Sequence, residues 1–141
     1  MKPERVRILL VEDDEVDVIG IRRAFDKNGI DCELHVARDG VEALDLMRHA
    51  DSELRWPYIV LLDLNMPRMS GQEFLAAVRE DDELSHVIIF VLSTSDSPRD
   101  IELAYSKNVA GYVVKSSLDD DMGELVRLLE PYWRMVEFPR S

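Results

Sequence analysis

The sequence predicts an α/β sandwich around a five-stranded parallel sheet, and three observations carry that expectation. Apolar runs free of Gly and Pro stand at residues 7–11, 58–62 and 87–92, and runs of this length read as strands buried on both faces. Each run is followed by apolar residues at helical spacing. The connections are short, and parallel neighbours need a crossover that a helix supplies.

The elements follow in order. Arg7 to Val11 is the first strand, ending in Glu12-Asp13-Asp14-Glu15. Val18, Ile21 and Phe25 mark the first helix, which Asp13 or Asp14 caps and Asn28-Gly29 stops. Glu33 to Ala37 reads as the second strand. Asp39-Gly40 turns the chain into a second helix with Val41, Leu44 and Met47. A polar loop over 50–57 precedes the third strand, which ends at Asp63. Ser70 and Glu73 have capping-box spacing at the start of a third helix, with Phe74, Ala77 and Val78 inward. Val87 to Leu92 is the fourth strand, followed by Ser93-Thr94-Ser95. Ser97-Pro98 suits the opening of a fourth helix carrying Ile101, Ala104 and Tyr105 inward. Gly111 to Val114 is the fifth strand, ending in Lys115, and Leu118, Met122, Leu125 and Leu129 define the fifth helix.

Composition narrows the function. At 141 residues the chain fits one domain. No apolar run nears the ~20 residues of a membrane helix, and no secretory signal pattern opens the chain; a cytoplasmic protein is expected. A net charge of −12 argues against direct nucleic-acid binding, which leans on Lys and Arg. Cys32 is the single cysteine, so neither an internal disulfide nor a Cys cage is available. Lysines number only four against thirteen arginines, which singles out Lys115 at a strand end.

The strand ends carry the chemistry. Glu12-Asp13, Asp63, Ser93 and Lys115 follow the first, third, fourth and fifth strands, and a parallel sheet brings those ends to one edge. Crowded carboxylates repel unless a cation sits among them. Hard oxygen donors suit Mg²⁺, which keeps waters and awaits phosphate oxygens. A carboxylate there can attack a phosphoryl group and form an acyl phosphate, with Lys115 balancing charge and the Ser93 hydroxyl donating to a phosphoryl oxygen.

Taken together, Ile8-Leu9-Leu10-Val11-Glu12-Asp13-Asp14, Leu61-Leu62-Asp63-Leu64-Asn65-Met66-Pro67 with Ser70-Gly71, Val91-Leu92-Ser93 and Tyr112-Val113-Val114-Lys115 closely resemble the receiver domain of two-component response regulators. The resemblance covers essentially the whole chain. It implies a flavodoxin-like (βα)5 three-layer sandwich with strand order 2-1-3-4-5. It implies one receiver domain over 1–141, with a core over about 5–130 and a C-terminal extension over about 131–141. The expected role is a stand-alone response regulator that takes a phosphoryl group from a sensor histidine kinase onto Asp63. Glu12, Asp13, Asp63 and the Asn65 backbone carbonyl would arrange Mg²⁺. Lys115 and Ser93 would bind the phosphoryl group, and Ser93 and Tyr112 would be the paired switch residues. Ser93 is preferred over Thr94 by strand alternation and by the family match. No turnover of an external metabolite is expected. A histidine phosphotransfer protein is a further candidate partner. The tail over 131–139 resembles the ending of single-domain regulators associated with bacterial phytochromes.

Two positions depart from or vary the family pattern. Ser93 stands where threonine is common, which keeps the hydroxyl and loses a methyl. Proline usually follows the lysine, often through a cis bond, whereas Ser116 follows here; a cis bond before a non-proline residue costs about 2.5–4 kcal/mol. Lys115 then sits either on a trans peptide with altered aim or on a strained cis one.

The fifth helix and tail hold more apolar residues than one face needs, and Pro131 ends or kinks that helix. Surplus apolar surface marks an interface. The preferred expectation is a homodimer through the fourth helix, fifth strand, fifth helix and tail, with Tyr105, Leu128, Tyr132, Trp133, Val136 and Phe138 as its candidates. The alternative is that the tail folds back over its own aromatics. Other functions fit less well. An aspartyl phosphohydrolase of the haloacid dehalogenase type usually carries its nucleophile after the first strand and a second acid where Asn65 stands. A nucleotide or flavin domain needs a glycine-rich loop where Glu-Asp-Asp-Glu stands. A phosphorylation-independent interaction module has no need of the retained acidic and basic groups.

Overall fold

The computed structural model describes residues 5–49, 51–119 and 121–140. Five strands, β1 (Val6–Val11), β2 (Cys32–Ala37), β3 (Ile59–Leu62), β4 (Ile88–Ser93) and β5 (Gly111–Val114), form one sheet in the order β2-β1-β3-β4-β5. All four pairings are parallel. The helices are α1 (Glu15–Lys27), α2 (Gly40–Arg48), α3 (Gly71–Glu80), α4 (Pro98–Ser106) and α5 (Gly123–Met135). This is the flavodoxin-like sandwich with order 2-1-3-4-5.

Period-two alternation on the three central strands divides the core into two layers. Leu9, Val11, Val60, Leu62, Ile89 and Val91 face α2, α3 and α4, where Leu44, Phe74, Leu75, Val78 and Ala104 meet them. Ile8, Leu10, Ile59, Leu61, Phe90 and Leu92 face α1 and α5, meeting Ile21, Phe25, Leu125, Val126, Leu129 and Trp133. The edge strands β2 and β5 are only half-buried. Among the described residues no helix is long and apolar enough to cross a membrane.

Side chains set the starts of α1, α2 and α3. Asp14 accepts from the Val16 N–H, Asp39 from the Glu42 N–H, and Ser70 and Glu73 close a reciprocal capping box. Gly71 is required by space. A Cβ there would lie 2.5 Å from Leu64 Cα and 2.7 Å from the Asp63 carbonyl oxygen, because the Gly71 N–H donates to the Leu64 carbonyl. The first turn of α3 is thereby pressed against the backbone that carries Asp63.

Two expectations are corrected, and one of the two alternatives for Pro131 is excluded. The fifth helix begins at Gly123, so Leu118 and Met122 precede it. Lys115–Ser117 form a 3-10 turn, and the Asp119 N–H is taken by Glu124 and the Gly123 N–H by Asp121, which spends those donors on side chains. Tyr105 is exposed rather than inward, since short helices meet the sheet along a narrow stripe. Pro131 lies inside α5 without ending it, and α5 continues to Met135.

The tail does fold back. Trp133 is 1% exposed in the α1–α5 layer and contacts Phe138 with ring centroids 5.1 Å apart. Phe138 in turn meets Trp56, whose indole N–H donates to the Pro139 carbonyl at 2.8 Å. Trp133 is thus a core residue of the protomer. Tyr132 is half-buried against Phe90, Val136 and Phe138 are half-buried, and Tyr105 and Leu128 face outward.

Candidate functional site

The sheet carries Glu12, Asp63 and Lys115 one step past the last paired strand positions, and Ser93 at the last paired position of β4. Val11 pairs with Leu62, and Leu62 with Val91, so Glu12 and Asp63 leave β1 and β3 side by side. Backbone hydrogen bonds extend the ladder to both: Glu12 N–H to the Ala37 carbonyl, Asp63 N–H to the Val11 carbonyl, each 2.9 Å. Their carboxylates are enclosed, 2% and 6% exposed. Asp13 lies beside them and is open to solvent. Carboxylate oxygens of Glu12, Asp13 and Asp63 all fall within 4.8 Å of one another.

Among the described residues, one cation faces this cluster. Lys115, following β5, reaches across the end of β4 and donates to Glu12 Oε1 at 2.8 Å and to Asp17 Oδ2 at 2.7 Å. Its Nζ stands 4.0 Å from Asp63 Oδ1, outside hydrogen-bond range. Burial favours the neutral amine, but hydrogen bonds to Asp17 and Glu12 outweigh it and hold the group charged well above the usual lysine range. Burial raises Glu12 to about 7, with Lys115 pulling down and the Asp63 charge pushing up. Burial also raises Asp63, against the pull of Lys115. With one ammonium shared among several carboxylates, the cluster is under-compensated, and the donors present are hard oxygens of the kind that hold Mg²⁺ or Mn²⁺.

The Lys115–Ser116 peptide is trans; the cis peptide among the described residues is Trp56–Pro57. Without proline the chain passes directly into the 3-10 turn, and Lys115 aims at Glu12 and Asp17.

Ser93 ends β4 fully buried, and its hydroxyl oxygen accepts the Ser95 N–H at 3.1 Å. Thr94, the next residue, is exposed on the other side of the strand end. Tyr112 on β5 packs inward against the α2–α3–α4 layer, and its hydroxyl donates to the Ser95 carbonyl at 2.9 Å. Asn65 is exposed in the loop after Asp63, and its N–H approaches Asp63 Oδ1 at 3.4 Å.

Two participants escape a sequence reading. Asp17 looks like a surface charge, yet it is a partner of Lys115 across 98 residues; its only sequence signal is a place one helical turn beyond Asp13. Asp39 looks like a turn residue, yet it is buried, caps α2 and pairs with Arg68, which adopts φ 62° in the loop after Asp63.

Known proteins share this fold and sequence pattern. Residues 8–127 match the family model for the response regulator receiver domain. The chain is 36% identical over 127 residues to the probable methanogenesis regulatory protein FilR2 of Methanothrix harundinacea, covering 89% of this chain and 82% of that one. It is 33% identical over 129 residues to response regulator Rcp1 of Synechocystis, covering 89% and 87%. Among solved structures, the Mn²⁺-bound form of Rcp1 superposes with a TM-score of 0.80 at 31% identity, covering 96% of this chain and 99% of that one. The phosphorylated cyanobacterial phytochrome response regulator RcpA superposes at 0.83 with 32% identity, covering 96% and 99%. A parallel sheet in this order, an acidic cluster at the ends of its central strands, and relatives matched over nearly their full length lead to one assignment: the chain belongs to the family of response regulator receiver domains.

Proposed function

We propose that this chain is a phosphorylation-driven switch in which Asp63 accepts a phosphoryl group from a sensor histidine kinase. The observation that carries this reading is the enclosed Asp63 carboxylate, clustered with Glu12 and Asp13 and faced by Lys115 Nζ at 4.0 Å. In the transfer, an Asp63 carboxylate oxygen bonds to phosphorus, the phosphorus–nitrogen bond of the donor breaks, and its electron pair stays on the imidazole. Lys115 balances charge on the phosphoryl oxygens, and the Ser93 hydroxyl donates to one of them. Glu12, Asp13, Asp63 and the Asn65 carbonyl would hold Mg²⁺, which when bound neutralises phosphoryl charge. The acidic cluster fits that ion, and the relative Rcp1 is known in a Mn²⁺-bound form.

The partner kinase is proposed to be a phytochrome-type sensor, on the likeness to RcpA, and a histidine phosphotransfer protein is a second acceptor of the same chemistry. The α4–β5–α5 face, where Tyr105 and Leu128 are exposed and Tyr132 half-buried, is proposed to pair two copies. Light scattering that gives only monomer, with and without a phosphoryl mimic, would overturn the dimer.

Intact-mass spectrometry after incubation with acetyl phosphate tests the central reading. A single phosphoryl increment that needs Mg²⁺, is lost in EDTA and disappears in Asp63→Asn is expected. A folded wild type that gains no mass under any condition overturns it.

A further inference from the structure

Lys115 is contested by three carboxylates, and only two of them win a hydrogen bond. An ammonium has three N–H donors. Glu12 takes one at 2.8 Å and Asp17 another at 2.7 Å, while Asp63 stands at 4.0 Å. Asp17 lies outside the acidic trio of Glu12, Asp13 and Asp63. It sits in the first turn of α1, whose entry Asp14 fixes by capping. Its side chain is 21% exposed and that of Lys115 13%, so water screens this pair less than an ordinary surface pair.

We propose that Asp17 is a positioning residue that holds the Lys115 ammonium away from Asp63 and so slows phosphoryl loading. The inference rests on the phosphoacceptor reading above. As an Asp63 oxygen bonds to phosphorus and the donor's phosphorus–oxygen or phosphorus–nitrogen bond breaks, the leaving group keeps the electron pair and charge spreads over the three remaining phosphoryl oxygens. A cation already in place there stabilises the transition state without reorganisation. Lys115 must instead release Asp17, a charge-assisted bond, to come within reach. That cost falls on the transfer step and not on donor binding.

This point separates a restraint from simple charge repulsion. Removing a nearby negative charge would help an anionic donor bind and lower its half-saturating concentration. Removing a restraint raises the maximal rate. Glu15 supplies the control: it lies in the same helical turn with the same charge, is 72% exposed, and pairs with Arg38 rather than with the lysine.

The experiment follows loading by acetyl phosphate with Mg²⁺ across donor concentrations, read by intact mass. The proteins are wild type, Asp17→Asn, Asp17→Glu, Glu15→Gln, Lys115→Ala and the Asp17→Asn/Lys115→Ala double variant. Asp17→Asn should raise the maximal rate by about tenfold, the scale of one charge-assisted hydrogen bond, at an unchanged half-saturating concentration. Asp17→Glu should return it toward wild type, Glu15→Gln should leave it alone, and the gain should vanish without Lys115. An unchanged or slower Asp17→Asn overturns the proposal. So does an equal gain in Glu15→Gln, a gain that survives Lys115→Ala, or one confined to half-saturation. A second readout needs no phosphorylation: acetylation of Lys115 by an N-hydroxysuccinimide ester, with Lys27, whose side chain is 68% exposed, as reference, read on peptides by mass. It should be several-fold faster in Asp17→Asn than in wild type, and an equal rate overturns the restraint. If wild type takes no phosphoryl group, the phosphoacceptor reading fails, and this arm still decides the role of Asp17.

Discussion

The Tyr112 hydroxyl donates to the Ser95 carbonyl at 2.9 Å, tying β5 to the loop between β4 and α4. Ser95 is the hub of that loop. Its N–H donates to Ser93 Oγ, and its own hydroxyl donates to Asp100 and accepts from the Ser97 N–H. If the Ser93 hydroxyl turns toward a phosphoryl group on Asp63, the Ser95 N–H loses its acceptor and the loop must readjust around Tyr112. The Tyr112 ring resonances should therefore shift on adding beryllofluoride and Mg²⁺ to wild type, and shift far less in Ser93→Ala. Tyr112→Phe should cost about 0.5–1.5 kcal/mol in urea unfolding, the worth of one neutral hydrogen bond.

The acidic cluster makes stability depend on pH with a definite sign. Burial lifts Glu12 from 4.5 to about 7 in the metal-free protein. Its folded value exceeds its unfolded one, so between about pH 4.5 and 7 the folded state binds more protons and stability falls as pH rises. Burial raises Asp63 in the same direction. Urea midpoints in EDTA should drop across this window, and Glu12→Gln should flatten the drop. Mg²⁺ should stabilise more at pH 8 than at pH 5, because the ion favours the ionised carboxylates. Equal Mg²⁺ stabilisation at both pH values would count against these residues as its ligands.

Gly71 offers a test of how the backbone positions Asp63. Gly71→Ala drives a Cβ into the Leu64 Cα and the Asp63 carbonyl, which are backbone atoms that cannot swing aside. Overpacking of this kind costs about 1–3 kcal/mol. The thermal midpoint should fall, and phosphoryl loading should fall with it at temperatures where the variant remains folded. Gly29→Ala, at φ 69° on the far side of α1 with nothing near its Cβ, should lower stability without touching the rate.

Trp133 separates core from interface. Trp133→Ala should destabilise the protomer by about 3–5 kcal/mol, as removal of a large buried aromatic does. The loss should be independent of protein concentration. Leu128→Ala, on the outer side of the same helix and 40% exposed, should leave protomer stability nearly unchanged. Any shift in self-association should appear with Leu128 rather than Trp133.

The type of every strand along the chain, the capping of α3, and the convergence of Glu12, Asp13, Asp63 and Lys115 at one sheet edge were determined by the sequence, while the strand order in the sheet was implied by the family resemblance and the choice of Asp14 as the cap of α1 fell to the structure. The physical reason is local. Apolar runs that end in a carboxylate, a hydroxyl or a lysine define strand ends, and parallel crossovers oblige those ends to share an edge. The resemblance to receiver domains rests on those same residues. What only the tertiary structure decided is which partner each surplus group finds. Leu118 and Met122 fall before α5 because nearby side chains take the backbone donors. Trp133 and Phe138 turn inward because the tail reaches Trp56, 83 residues away along the chain from Pro139. Asp17 becomes a partner of Lys115 because the lysine, leaving β5 on a trans Lys115–Ser116 bond, extends its side chain to the first turn of α1. Periodicity specifies a face and a composition specifies a charge, but an ion pair or an aromatic contact between residues distant in sequence exists only once the layers are packed.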